Sequence, residues 1–147
     1  MTSTINLLAD DIQAAVDAAY ERGAPVAVAY VNEKQEPSLS LRGSAQVLNA
    51  NEIGLWARST DTGLAAAIEK NANLSLIFFG PLPSGDKMLL SIKGQARADA
   101  SRNDEVYNGM IENERNFDPD KKGVAIIVNV DSASGMSMKG GPFSQQR

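Results

Sequence analysis

The residues best suited to chemistry cluster in one short stretch, Arg58-Ser59-Thr60-Asp61-Thr62, which lies between an apolar run and an alanine-rich one. A guanidinium and several hydroxyls just ahead of a helix over Gly63–Asn71 form a recognisable anion-binding arrangement, because the first N–H groups of a helix lack intrahelical partners. The same residues also suit a capped connector, in which Ser59, Thr60, Asp61 or Thr62 satisfies those N–H groups and Arg58 pairs with Asp61. Spacing alone favours the connector.

The rest of the composition narrows the chemistry. The chain has no histidine and no cysteine, which excludes imidazole acid–base catalysis, Ser-His-Asp triads, thiol nucleophiles, disulfides and ordinary zinc sites. Catalysis would have to use carboxylates, Lys, Tyr, backbone dipoles or a bound cofactor. A net charge of -4 and no basic stripe argue against nucleic acid as a partner. No apolar run is long enough to span a bilayer and no basic-then-apolar leader opens the chain, so the expectation is a cytoplasmic protein that does not engage membranes. At 147 residues it reads as one domain, 1–147.

Several elements must position the Arg58 stretch. Ile5, Leu8, Ile12, Ala15, Val16 and Ala19 fall at helical spacing over residues 4–22 and predict an amphipathic N-terminal helix within 1–23, closed by Gly23 and Pro25. Six strands follow: Val26–Val31, a run from Pro37 to Leu48, Ile53–Ala57, Leu74–Phe79, Lys87–Ala98 and Val124–Val130. In the second, Leu39 and Leu41 alternate with Ser38, Ser40 and Arg42, giving one oily and one polar face. Gly43 marks a bulge or a close approach by another backbone or a ligand, and Gly94 a bend or barrel corner in the long strand. Ser101 to Asp104 resembles a capping box that opens a helix to about Glu114. Asp118, Asp120, Lys121 and Lys122 read as a solvated turn, and the Ser-, Gly- and Met-rich residues 131–147 as an arm or tail. These elements predict an α+β fold, an antiparallel Greek-key barrel of six strands with an N-terminal helix and two further short helices.

Four segments carry a family likeness: residues 25–31, residues 37–43, the strand–turn–helix continuing through Ile68 to Phe78, and Ile92 to Arg97. The chain from Pro25 to about Asp131 resembles the FMN-binding split barrel of the pyridoxamine 5'-phosphate oxidase-like superfamily. That resemblance implies a homodimer with flavin sites at the subunit interface and a small-molecule substrate or ligand. It implies FMN as the cofactor, with a deazaflavin or no cofactor as variants. The flavin phosphate would lie against Ser40, Arg42, Trp56, Ala57, Arg58, Ser59, Thr62, Gly63 and Leu64. The implied activity is flavin-dependent oxidoreduction, with a non-catalytic ligand-binding or sensor role as the alternative.

The chain also departs from the pattern. Where the family's oxidases open the small helix with Ser-Arg-Lys, this sequence has Thr62-Gly63-Leu64, and a basic residue of the second strand is replaced near Ala45. The Arg and Lys missing from the triplet predict that the chain is not a working pyridoxamine 5'-phosphate oxidase, whose site must hold two phosphorylated molecules. Trp56 reads as core or interface in preference to a flavin-stacking residue, and Arg42 as either a cofactor contact or an ion pair.

Overall fold

The computed structural model describes residues 2–147. Eight strands form one curled antiparallel sheet: β1 (Val26–Val31), β2 (Pro37–Arg42), β3 (Gln46–Val47), β4 (Glu52–Ala57), β5 (Asn73–Pro81), β6 (Lys87–Ala98), β7 (Val124–Ser137) and β8 (Gly141–Gln146). The spatial order is β2-β1-β5-β6-β7-β4-β3, with β8 added to β7. The expected α+β antiparallel architecture is present with eight strands in place of six. One additional strand arises because the run from Pro37 to Leu48 does not stay straight. It turns at Gly43 and Ser44, so its first part pairs with β1 and its last with β4 at the far end of the sheet. That change of partner curls the sheet into a barrel and leaves a split beside the end of β4.

The other additional strand is β8. Residues 131–147 are neither arm nor tail, since β7 runs on to Ser137 and β8 pairs back along it, Ser132 with Gln146 through Ser137 with Gly141. The Ser- and Gly-rich sequence hides this because the pairing relies on backbone groups and not on large side chains.

The N-terminal helix also requires correction. Only α1 (Ile12–Val16) and a 3-10 turn at Ala19–Arg22 are helical. Asp10, Asp11 and Ala18 take left-handed backbone conformations, which interrupt the i→i+4 ladder. Leu7 is buried and Leu8 is exposed, the reverse of the helical expectation. Residues before α1 instead run beside β8, where the buried Gln145 side chain accepts from Asn6 N and donates to Asn6 O and Asp10 Oδ2.

Alternation in β5 and β6 sends Leu74, Leu76, Phe78, Met88, Leu90 and Ile92 into the barrel, where they meet Ile53, Leu55, Ile126 and Val128. Gly94 sits at a register shift between β6 and β7, and a Cβ there would overlap Asn129 O. Strand β4 and the first half of β7, Val124 to Val128, are buried on both faces. Their outer residues Trp56, Ala125 and Ile127 form a second cluster with Val106 and Met110 of the segment that follows β6. That segment is two short helices, α3 (Asn103–Gly109) and α4 (Glu112–Arg115), broken where Met110 and Ile111 are extended. Neither helix has a side-chain cap, so the expected Ser101 box is absent; the Asp99 carboxylate instead caps the 3-10 turn Ala100–Arg102 ahead of α3, accepting from Ser101 N.

Among the described residues, no helix is long and apolar enough to cross a membrane. The outward face of the sheet carries exposed Leu39, Leu41, Ile77, Phe79, Leu89 and Met136. Cross-strand register joins them into a belt, through Leu41–Ala27–Ile77 on one line and Phe79–Leu89–Met136–Pro142 on another.

Candidate anion site at the split of the barrel

The end of β4 enters α2 (Gly63–Lys70) through Arg58–Thr62. Leu64, Ala65, Ala67 and Ile68 are buried and seat α2 against the barrel, so the helix N-terminus is held by packing. The expected caps are absent. The Ser59 hydroxyl bonds Asp61 Oδ1 at 3.0 Å and Thr62 Oγ1 at 2.7 Å, and accepts from Thr62 N at 3.2 Å. No side chain caps α2. The hydroxyls thus satisfy one another and the turn, and no side chain satisfies the first helical N–H groups. Gly63, the first helical residue, sits at φ +61°, a conformation that a side chain would disfavour.

Arg58 does not pair with Asp61. Among the described residues it makes no ion pair at all. Its guanidinium lies over the ring of Phe117, 5.1 Å from the centroid. Arg42 is likewise without a carboxylate partner; its Nε donates to Ser40 Oγ at 3.0 Å. The two cations lie on segments that the chain brings together. The β3–β4 register, Gln46 opposite Gly54, extends to a hydrogen bond from Trp56 N to Ser44 Oγ at 3.0 Å. Arg42 and Arg58 each lie two residues beyond that contact, at most about 7 Å of chain.

Three of the predicted positions offer little but backbone. Trp56, Ala57 and Leu64 are buried. The Trp56 indole stands edge-on to Tyr107, 5.3 Å between centroids, and donates to Asp118 Oδ2 at 2.9 Å, so its ring is core and is not presented to a flavin. Ser40, Arg42, Arg58, Ser59, Thr62 and Gly63 are at least partly exposed.

Sequence reading missed the other wall of the site. Asp118 is buried, not solvated: its carboxylate accepts from the Trp56 indole, from Gly123 N at 2.9 Å and from Lys122 N at 3.0 Å. Burial alone would raise its pKa, but these hydrogen bonds outweigh it and hold the carboxyl below its ordinary range. Glu114 crowds Gly43, where a Cβ would lie 2.6 Å from Glu114 Oε1; the neighbour at Gly43 is this side chain and not the backbone or ligand expected there. A cavity of about 320 Å³ opens beside it, lined by Asp17, Gly43, Ser44, Gln46, Gly109 and Met110. The only hint in the sequence was the combination of Asp118 with Gly123, a glycine five residues on.

No family model matches the sequence, and no curated protein is significantly similar to it. Solved structures are similar across most of the chain. A general stress protein 26-related protein of the pyridoxinephosphate oxidase family from Clostridium acetobutylicum is 13% identical, with a TM-score of 0.58 over 82% of this chain and 84% of that one. An FMN-binding protein from Syntrophomonas wolfei is 9% identical, with a TM-score of 0.58 over 84% of each chain. The fold is the pyridoxamine 5'-phosphate oxidase-like split barrel. A haem-binding protein from Mycobacterium smegmatis is 14% identical, with a TM-score of 0.62; 91% of this chain aligns with 57% of that protein. The split-barrel frame is therefore shared by proteins described as binding different prosthetic groups, and the side chains at the split must decide the ligand.

Proposed function

We propose that this split-barrel protein binds FMN and holds the flavin phosphate at the split, between Arg58, Arg42 and the N-terminus of α2. The observation that carries the reading is the Arg58 guanidinium, which meets an aromatic face and no carboxylate, beside a helix start that no side chain caps. Guanidinium forks and open backbone N–H groups match a phosphate dianion in geometry and charge. Ser40 adds a hydroxyl that accepts from Arg42 and keeps its own proton to donate, so the donor set fits the phosphate end of the cofactor. Bound flavin would supply electron transfer in an oxidoreductase acting on a small molecule, while the chain's own residues bind, orient and exclude water. A deazaflavin would present similar phosphate chemistry. Axial histidine ligation of haem is ruled out by composition.

The belt of exposed apolar residues supports a homodimer closed across the outward face of the sheet, since a patch of this kind marks a contact surface. Light scattering at micromolar concentration should give twice the mass of the chain; a folded monomer would remove this part of the reading. The site offers two unpaired guanidiniums for one phosphate and no further set for a second, so no oxygen uptake with pyridoxamine 5'-phosphate is expected at saturating FMN.

A titration with FMN and riboflavin tests the main claim. FMN should bind on the order of tenfold or more tightly, because a charge-assisted phosphate contact contributes roughly 1.5–3 kcal/mol. Equal affinities would place the phosphate outside the site. Reduction of the bound flavin by NADH or NADPH then separates an oxidoreductase from a carrier.

A further inference from the structure

We infer that Phe117 is a positioning residue for Arg58, held in place by the keying of the 118–123 loop onto β4; the inference rests on the reading of Arg58 as an anion ligand. Every part of the arrangement is specific. Asp118 fixes the loop through three donors, one of them the Trp56 indole, two residues before Arg58 in the chain. Gly123 lets the loop press against β4, since a Cβ there would overlap Ala57 O and lie 2.7 Å from Trp56 Nε1. Tyr107 Oη donates to Asp118 O at 2.9 Å, and Phe117 N and Asp118 N donate to Glu114 O and Arg115 O. The loop is tied to the strand on one side of Phe117 and to α4 on the other. Yet Phe117 itself is 58% exposed, so core packing does not account for its place. What it covers is Arg58.

The chemistry explains why an aromatic serves here. A carboxylate partner would fix the guanidinium but would neutralise it and occupy its N–H fork. An aromatic face orients the guanidinium through the ring quadrupole and accepts none of its five in-plane N–H donors. Arg58 is thereby ordered while its charge and donors stay free for an incoming anion, and the entropy of ordering a long side chain is met before binding.

The test uses the full chain and the side-chain Nε–H resonance of Arg58, assigned by its loss in Arg58→Lys. In the parent protein this resonance should carry a ring-current shift and move on titration with inorganic phosphate. Phe117→Leu should return it towards the position of free arginine and weaken phosphate two- to fivefold, the equivalent of about 0.5–1 kcal/mol for an exposed cation–π contact at 1.4 kcal/mol per decade. Phe117→Tyr should restore both. The Trp56 indole N–H resonance, fixed by Asp118, reports in each variant whether the loop is still seated. An Arg58 resonance indifferent to Phe117→Leu, or equal phosphate affinity in the Leu variant and the parent, overturns the inference. A parent whose Arg58 is shifted by the ring but ignores phosphate overturns the anion reading, and the positioning role with it.

Discussion

The two ends of β4 hold their arginines in opposite states. At its start Glu52 accepts from Arg102 at 3.2 Å and faces Arg97 at 3.5 Å, while Arg102 also meets Glu105 at 2.6 Å and Arg97 lies 3.8 Å from Asp99. Every guanidinium there has a carboxylate. Just past the other end, Arg58 has none and rests on Phe117. A net charge of -4 conceals this difference. What decides whether a cation is free for a ligand is its local commitment, and on this strand the commitments are segregated: one end is spent on the fold and the other is left open.

The comparison can be broken at either end. The largest effect expected is from Asp118→Ala, which strips the acceptor from a buried indole N–H and two backbone N–H groups. It should cost about 2–4 kcal/mol in urea unfolding, and an unchanged midpoint would show that the loop is not keyed to β4. Arg58→Ala should leave stability within ~0.5 kcal/mol while weakening FMN by roughly 1.5–3 kcal/mol, on the order of 10- to 150-fold. A stability loss without a change in affinity would move Arg58 to the committed class. Glu52→Gln should do the reverse, costing about 1–2 kcal/mol of stability for a half-exposed network with no change in flavin binding.

Acid tests both ends together. Burial would raise the Glu52 pKa, but Asn49, Arg102 and Arg97 hold it below the usual range; Ser101 lowers Asp99 and Arg102 lowers Glu105. With Asp118, these carboxyls have folded values below their unfolded ones. Their stabilisation is therefore complete above about pH 5 and lost as pH falls through the folded values. Asp17 has the opposite sign. Burial raises its pKa despite the hydrogen bond from Val47 N, so its ionised form is a cost above the folded value that acid relieves. Asp17→Asn, which keeps an acceptor for Val47, should give the smallest effect: a gain within ~0.5 kcal/mol at neutral pH that vanishes in acid. A loss at neutral pH would show that the charge itself is needed.

Elements with strong alternation were legible in the sequence. The span Lys87–Ala98 is the observed β6, and Val26–Val31 the observed β1. The N-terminal segment was not, because its apolar spacing fits a helix while its contacts with Gln145 and β8 favour another path. At the site, Arg58 could be found because an apolar strand and a helix bracket it. Phe117 and Asp118 could not, since they lie some sixty residues downstream in a stretch whose polarity resembles any surface turn. Only the packing of α3 and Met110 on β4 and β7 brings them back.

Strand β7 pairs with β4, β6 and β8, and this has a consequence for the chain as it is being made. Until residues 124–137 leave the ribosome, the nascent polypeptide can assemble β1, β2, β5 and β6 as one sheet and β3 with β4 as a fragment, each with an open edge. Those edges would be joined only when β7 is inserted between them, closing a long loop from β4. The hazard of edge-to-edge aggregation is thus concentrated in the interval before the last hairpin emerges.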